Sequence, residues 1–238
     1  MLRRAIILSL LLLCLGPGTR AEVGDGSDFL ALMRSAMASL RAAAGYSRTG
    51  NVALAQIELD DARQAWAGLS RLKERPIAPY TARSFGVVLG DGNERLREAD
   101  EGLAAGDGAR AAAEIATLRR SLHALRRDAG VVELSDCIFD LSPAMEDLRT
   151  VATRFAAAKA EASDVVRSGD SLRERLQSCD ALAPADVAGQ AEFRRLVDGA
   201  ATSAGEIGRA ARDGDAGLVH RYQIELQSFI NLLDFRFG

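Results

Sequence analysis

Apolar residues recur along most of this chain at alternating spacings of three and four. Ala111, Ile115, Leu118, Leu122 and Leu125 fall within about 40° of one line when successive residues turn through 100°. Leu30, Met33, Met37 and Leu40 form a similar stripe near the start, and Tyr222, Leu226, Phe229 and Leu233 form another near the end. Alanine, leucine, arginine and glutamate, all strong helix formers, dominate the chain, and strand signal is scarce. The pattern predicts helices over residues 28–48, 51–74, 81–105, 107–128, 143–168, 170–181, 185–212 and 215–235.

Four junctions share one chemistry: Gly50-Asn51, Gly106-Asp107, Gly169-Asp170 and Gly214-Asp215. Glycine adopts the left-handed conformation that stops a helix. The Asn or Asp side chain that follows can accept a hydrogen bond from the free N–H groups of the next one. Each pair therefore predicts an αα-hairpin. Further breaks are expected at Pro76 and Pro79, at "RDAGVVELSD", before Pro143 and around Pro184.

The hairpins also repeat. An offset of 108 pairs Phe85 with Phe193, Leu89 with Val197, Leu103 with Ala211, Gly106 with Gly214 and Leu125 with Leu233. An offset of 119 pairs Arg48-Thr49-Gly50-Asn51 with Arg167-Ser168-Gly169-Asp170. The two offsets are reconciled if the second half lacks about 11 residues between its hairpins. The expected architecture is all-α: antiparallel hairpins forming two tandem four-helix bundles, residues 22–130 and 131–238, related by an internal duplication.

The N-terminus changes the setting. Arg3 and Arg4 precede an apolar run from Ala5 to Leu15, then Gly16-Pro17-Gly18 and the small residues Thr19 and Ala21. That order predicts a secretory signal peptide, residues 1–21, cleaved near Ala21 in a periplasmic or secreted protein. The run is shorter than a membrane span, and Leu13 stands where a lipid-anchor site at Cys14 would need a small residue. No later segment is apolar enough to span, so an integral membrane protein is not expected. The whole chain carries 30 basic and 33 acidic residues. Loss of Arg3, Arg4 and Arg20 leaves a charge of about −6 without long blocks of one sign, which argues against nucleic acid as a partner. Two cysteines remain, Cys137 and Cys179. An oxidising compartment favours a disulfide between them over two free thiols or metal ligation.

Candidate chemistry is sparse. There is no G-x-S-x-G elbow, and His123 and His220 are the only imidazoles. Neither follows a glutamate by three residues, as a bundle di-metal site would require. No catalytic constellation emerges, and the chain reads as a non-enzyme. His123 lies about 120° from its helix's apolar stripe, beside Arg119, Arg126 and Arg127, where the helix dipole favours it. Glu133, Asp136 and Asp140 read as acids at the start of a helix, with a metal site including Cys137 as the alternative. Met33 and Met37 suit core packing. Met37 and His123 remain the minority candidates for a haem or copper ligand.

An exported antiparallel bundle with Gly-Asp turns resembles the class II c-type cytochromes, the cytochrome c′ and c556 group, and the related b562 bundle. "RSAM", Arg34 to Met37, is similar to the first-helix segment bearing the axial methionine in low-spin members. "SFINLLDFR", Ser228 to Arg236, is similar to the terminal C-x-x-C-H-x-x-F-R stretch, with Ser228, Asn231 and Leu232 in place of the haem-linking cysteines and axial histidine. The resemblance implies a haem-free relative near redox or metal chemistry. The residues themselves lead to an exported, non-catalytic bundle that binds a protein partner or small ligand in a groove between helices or halves. Unfolded but unreduced mature protein is expected to show no thiol to a thiol reagent and two after reduction. Two reactive thiols before reduction would exclude the disulfide.

Overall fold

The computed structural model describes residues 22–74 and 76–238, with side chains from residue 28 onward. The expected signal peptide lies outside the described residues. The elements are α1 (Glu22–Arg48), α2 (Val52–Arg71), α3 (Ala82–Ala104), α4 (Gly108–Asp128), α5 (Leu134–Phe139), α6 (Leu141–Ala156), α7 (Ala162–Ala181), α8 (Ala185–Ala188), α9 (Ala191–Arg212) and α10 (Ala216–Phe237). The described chain is all-α, and none of its helices is long and apolar enough to cross a membrane.

Hydrophobic burial sorts the long helices into two groups of four. In the first, α1 packs on α2 and α4, and α3 packs on the same two. Their core runs from Phe29 through Met33, Met37, Leu40, Leu59, Trp66, Phe85 and Leu103 to Leu125. In the second, α6 packs on α7 and α10, and α9 packs on those two. Its core runs from Leu134 through Met145, Leu148, Leu172, Phe193, Ile207 and Leu226 to Leu233. Each fully buried leucine or phenylalanine contributes about 1.5–3 kcal/mol, so either core is a substantial store of stability. The N-terminal stripe is corrected by one residue, since Leu30 is 42% exposed and Phe29 takes the inward place.

Three of the four Gly-Asx turns form as expected. Gly50, Gly106 and Gly214 have φ of 76°, 73° and 73°. Asn51, Asp107 and Asp215 then accept hydrogen bonds from the backbone N–H groups of Leu54, Arg110 and Leu218. Each stop also closes with paired backbone bonds. The N–H after the glycine reaches back five residues, as from Asp107 to Gly102 at 2.8 Å.

Gly169-Asp170 is not a turn. It lies inside α7, where a Cβ on Gly169 would come within 3.3 Å of the Ala204 carbonyl oxygen. This glycine lets α7 approach α9 closely. The hairpin turn falls instead at residues 157–161. Lys159 N–H bonds to Arg154 O at 2.8 Å in the same closing pattern, but Ala158 holds the left-handed position at φ 55°. An alanine doing a glycine's work is why sequence reasoning misplaced the turn. Two smaller corrections follow in the same region. Residues 134–139 form the short helix α5, and Pro143 sits inside the first turn of α6, where its missing N–H is not needed.

Moving that turn simplifies the repeat. The offset of 108 now extends to α1 and α6, carrying Met33, Met37, Leu40 and Ala44 onto Leu141, Met145, Leu148 and Ala152, all buried. An offset of 110 carries Ala55, Ala62, Trp66 and Leu69 of α2 onto Val165, Leu172, Leu176 and Cys179 of α7, also buried. The offset of 119, with its lost segment, is thereby replaced by a slightly longer turn between α6 and α7. A left-handed alanine costs about 1–2 kcal/mol relative to the right-handed form, a penalty that glycine avoids. Ala158→Gly is therefore expected to stabilise the protein by about 1 kcal/mol, and Gly106→Ala to destabilise it by a similar amount, read as opposite shifts of the urea midpoint.

Candidate functional site

The two helix groups meet along a seam to which α4 and α1 of the first group both contribute. Leu118, Leu122 and Leu125 point into the first core. The residue after each forms a second stripe at spacings of four and three: Arg119, His123 and Arg126. All three are buried, with Arg119 only 2% and His123 7% exposed. Buried cations require partners, and the second half supplies them.

Asp234, near the end of α10, accepts both terminal nitrogens of Arg119, at 3.1 and 2.6 Å. The same guanidinium lies 4.9 Å from the ring centre of Phe139. Asp136, in α5, accepts Arg126 Nε at 2.9 Å and Arg126 Nη2. Its Oδ1 is also 2.9 Å from His123 Nδ1, while Oδ2 accepts the Glu133 N–H at 3.0 Å in a reciprocal helix cap. A carboxylate can only accept, so Nδ1 is the donor in that contact. His123 Nε2 lies 3.0 Å from Asp140 Oδ1 but without the alignment of a hydrogen bond. It can donate there only when the ring carries both protons.

The far side of the seam is made by α1 and α10. Arg41 Nε donates to the Phe235 carbonyl at 3.0 Å, and its Nη1 to the Gly238 oxygen. Burial first, and the positive charge of Arg119 second, pull Arg41 below the ordinary arginine range, against the attraction of Asp234 and Glu58. Arg48 stands 3.6 Å from Asp234. Tyr46 and Phe235 meet edge to face at 5.6 Å. A Cβ on Gly45 would lie 2.6 Å from the Phe235 ring, so this glycine admits the aromatic contact.

Four cavities lie along the seam. A groove of about 430 Å³ is walled by Tyr46, Thr49, Asn231, Leu232 and Phe235, with Arg48 at its edge. One of about 230 Å³ is lined by Arg48, Arg119, Arg120, Phe139, Ser142 and Asp234. One of about 250 Å³ holds Met33, Met37, Arg34, Arg41, Tyr80 and Arg126. The fourth, of about 160 Å³, is lined by His123, Asp136, Cys137 and Asp140. Met37 and His123, the minority ligand candidates, thus face different cavities and are not brought together. Met33 and Met37 belong to the first core, as expected. His220 is exposed.

His123 is a correction of placement: it is buried between the halves, not left at a boundary by the helix dipole. Asp136 does start a helix, as expected, but its main partners are Arg126 and His123. Among the described residues no group of three or more His, Cys, Asp or Glu is arranged to hold a metal. Cys137 and Cys179 are bonded, with sulfurs 2.12 Å apart, and tie α5 to α7 beside Asp136. Sequence reasoning missed Arg119, Arg126 and Asp234. The available signal was the polar stripe itself, a second helical face running in register with the leucines.

No family model, curated protein or solved structure matches the chain. Asp136→Ala leaves Arg126 and His123 buried without their shared acceptor and is expected to cost about 3–5 kcal/mol in urea denaturation. Asp180→Ala, which breaks the half-exposed pair with Arg194, is expected to cost no more than about 1 kcal/mol. Equal losses would mean that the seam pair is no more important than a surface one.

Proposed function

We propose that this is an exported, non-catalytic binding protein that holds a small organic ligand in the seam between its two helix groups. The observation that carries the reading is the 430 Å³ groove between α1 and α10. Its size falls within the range of small-ligand sites, which combine apolar and aromatic walls with a few polar groups. Tyr46, Leu232 and Phe235 supply the apolar surface, Asn231 and Thr49 the hydrogen-bonding groups, and Arg48 one positive charge. Leu232 is 42% exposed at the groove, an apolar side chain left without full cover.

The walls support binding and orientation. They offer an amide, hydroxyls and a guanidinium, but no paired nucleophile and base. The export part of the reading rests on the N-terminal pattern of residues 1–21. Asn231 and Leu232, which stand where the resembled cytochromes carry haem-linking and axial residues, both line this groove.

The test uses the mature, disulfide-bonded protein, refolded from denaturant so that it carries no ligand. It is incubated with a small-molecule extract, repurified and examined by native mass spectrometry. A retained species of a few hundred daltons is expected for the parent chain and at least about tenfold less for Leu232→Arg, whose long charged side chain would occupy the groove. Retention unaffected by Leu232→Arg, or no retention by the parent, would overturn the reading.

A further inference from the structure

The 230 Å³ cavity shares Arg48 with the aromatic groove, but its chemistry is different. Three arginines, Arg48, Arg119 and Arg120, face it, against one carboxylate, Asp234. That carboxylate is already committed to both terminal nitrogens of Arg119. Arg48 reaches it only at 3.6 Å, beyond hydrogen-bonding distance. The described partner of Arg120 is the neutral hydroxyl of Thr117, at 2.7 Å. The cavity therefore carries more positive than negative charge.

Arg119 lines the cavity with its charge held by Asp234. The opening of α6 adds to the positive field. Ser142 and Pro143, in its first turn, line the cavity, at the positive end of the helix dipole. The Asp140 side chain does not cap α6, and its Oδ1 lies by His123 instead. The N-terminal N–H groups of this 16-residue helix thus receive no side-chain cap from Asp140.

We infer that this cavity binds a phosphate group. Arg48 and Arg120 supply the charge and the charge-assisted donors, and the Ser142 hydroxyl donates to a phosphate oxygen. The faces of Phe139 and Pro143 keep the site partly dry, which strengthens each of these bonds. The inference rests on reading the seam as ligand-bearing, but not on the aromatic groove. A phosphate reaches the site either as the free ion or at the end of a molecule whose body lies in the groove.

Calorimetric titration of the mature, oxidised protein at low ionic strength separates these cases. The probes are inorganic phosphate and phenyl phosphate, with chloride as the control anion. One phosphate per chain is expected, with Arg120→Gln and Ser142→Ala each weakening it, the former by about tenfold or more. Arg120 is exposed and outside the buried seam pairs, so its loss leaves the fold intact, as circular dichroism would verify. Tighter binding of phenyl phosphate that Leu232→Arg reduces to the level of inorganic phosphate would identify a phosphorylated molecule lying across both cavities. Equal binding of the two probes would identify the free ion. No stoichiometric phosphate binding, binding matched by chloride, or affinity unchanged in Arg120→Gln would overturn the inference. Phosphate that still binds when no groove ligand is retained would defeat the groove reading alone. The reverse outcome would defeat this inference alone.

Discussion

Three cationic or imidazole side chains on one face of α4 are removed from water, and the arrangement of the two halves follows from that removal. Taking a charged group into a protein interior costs several kcal/mol unless it is paired and hydrogen-bonded. Arg119 and Arg126 obtain their carboxylates only from beyond the first helix group, at Asp234 and Asp136. The halves therefore cannot separate without either rehydrating these charges or stranding them. Apolar cores of the ordinary kind hold each group of four helices together. Between the groups, ion pairs at α4 join the aromatic contact of Tyr46 with Phe235, and the ion pairs fix which face of α4 meets which end of α10.

That division explains what the sequence made legible. Core stripes announce themselves because leucine and isoleucine have one dominant use, so the helices and their inward faces could be read from spacing alone. The Gly-Asx turns were equally readable where glycine does the conformational work. Ala158 hides a turn because nothing in its identity signals a left-handed backbone, while Gly169 advertises a turn it does not make. A glycine in a helix can serve close packing as well as termination, and the local sequence does not distinguish the two.

The seam was hidden for a different reason. Arginines on a helix usually extend into solvent, so Arg119 and Arg126 resembled the many exposed arginines around them. Only their register with the buried leucines, one step round the helix, separated them from a solvated face. Asp136 reads from sequence as an acid at a helix start, which it is, but a carboxylate has two oxygens. One serves the local cap and the other serves α4, so a correct local explanation concealed a long-range one.

The repeat is faithful inside and broken outside. At the interior, Ala111, Leu118, Leu122 and Leu125 of α4 become Val219, Leu226, Ile230 and Leu233 of α10. On the seam face, Arg119, His123 and Arg126 become Gln227, Asn231 and Asp234. Asp234, which meets Arg119, stands at the position matching Arg126, so corresponding faces of α4 and α10 meet each other. Contact between the same face of two like units uses up both surfaces and closes on itself. The difference between the two faces, cationic on α4 and acidic on α10, gives that closed contact its opposite charges.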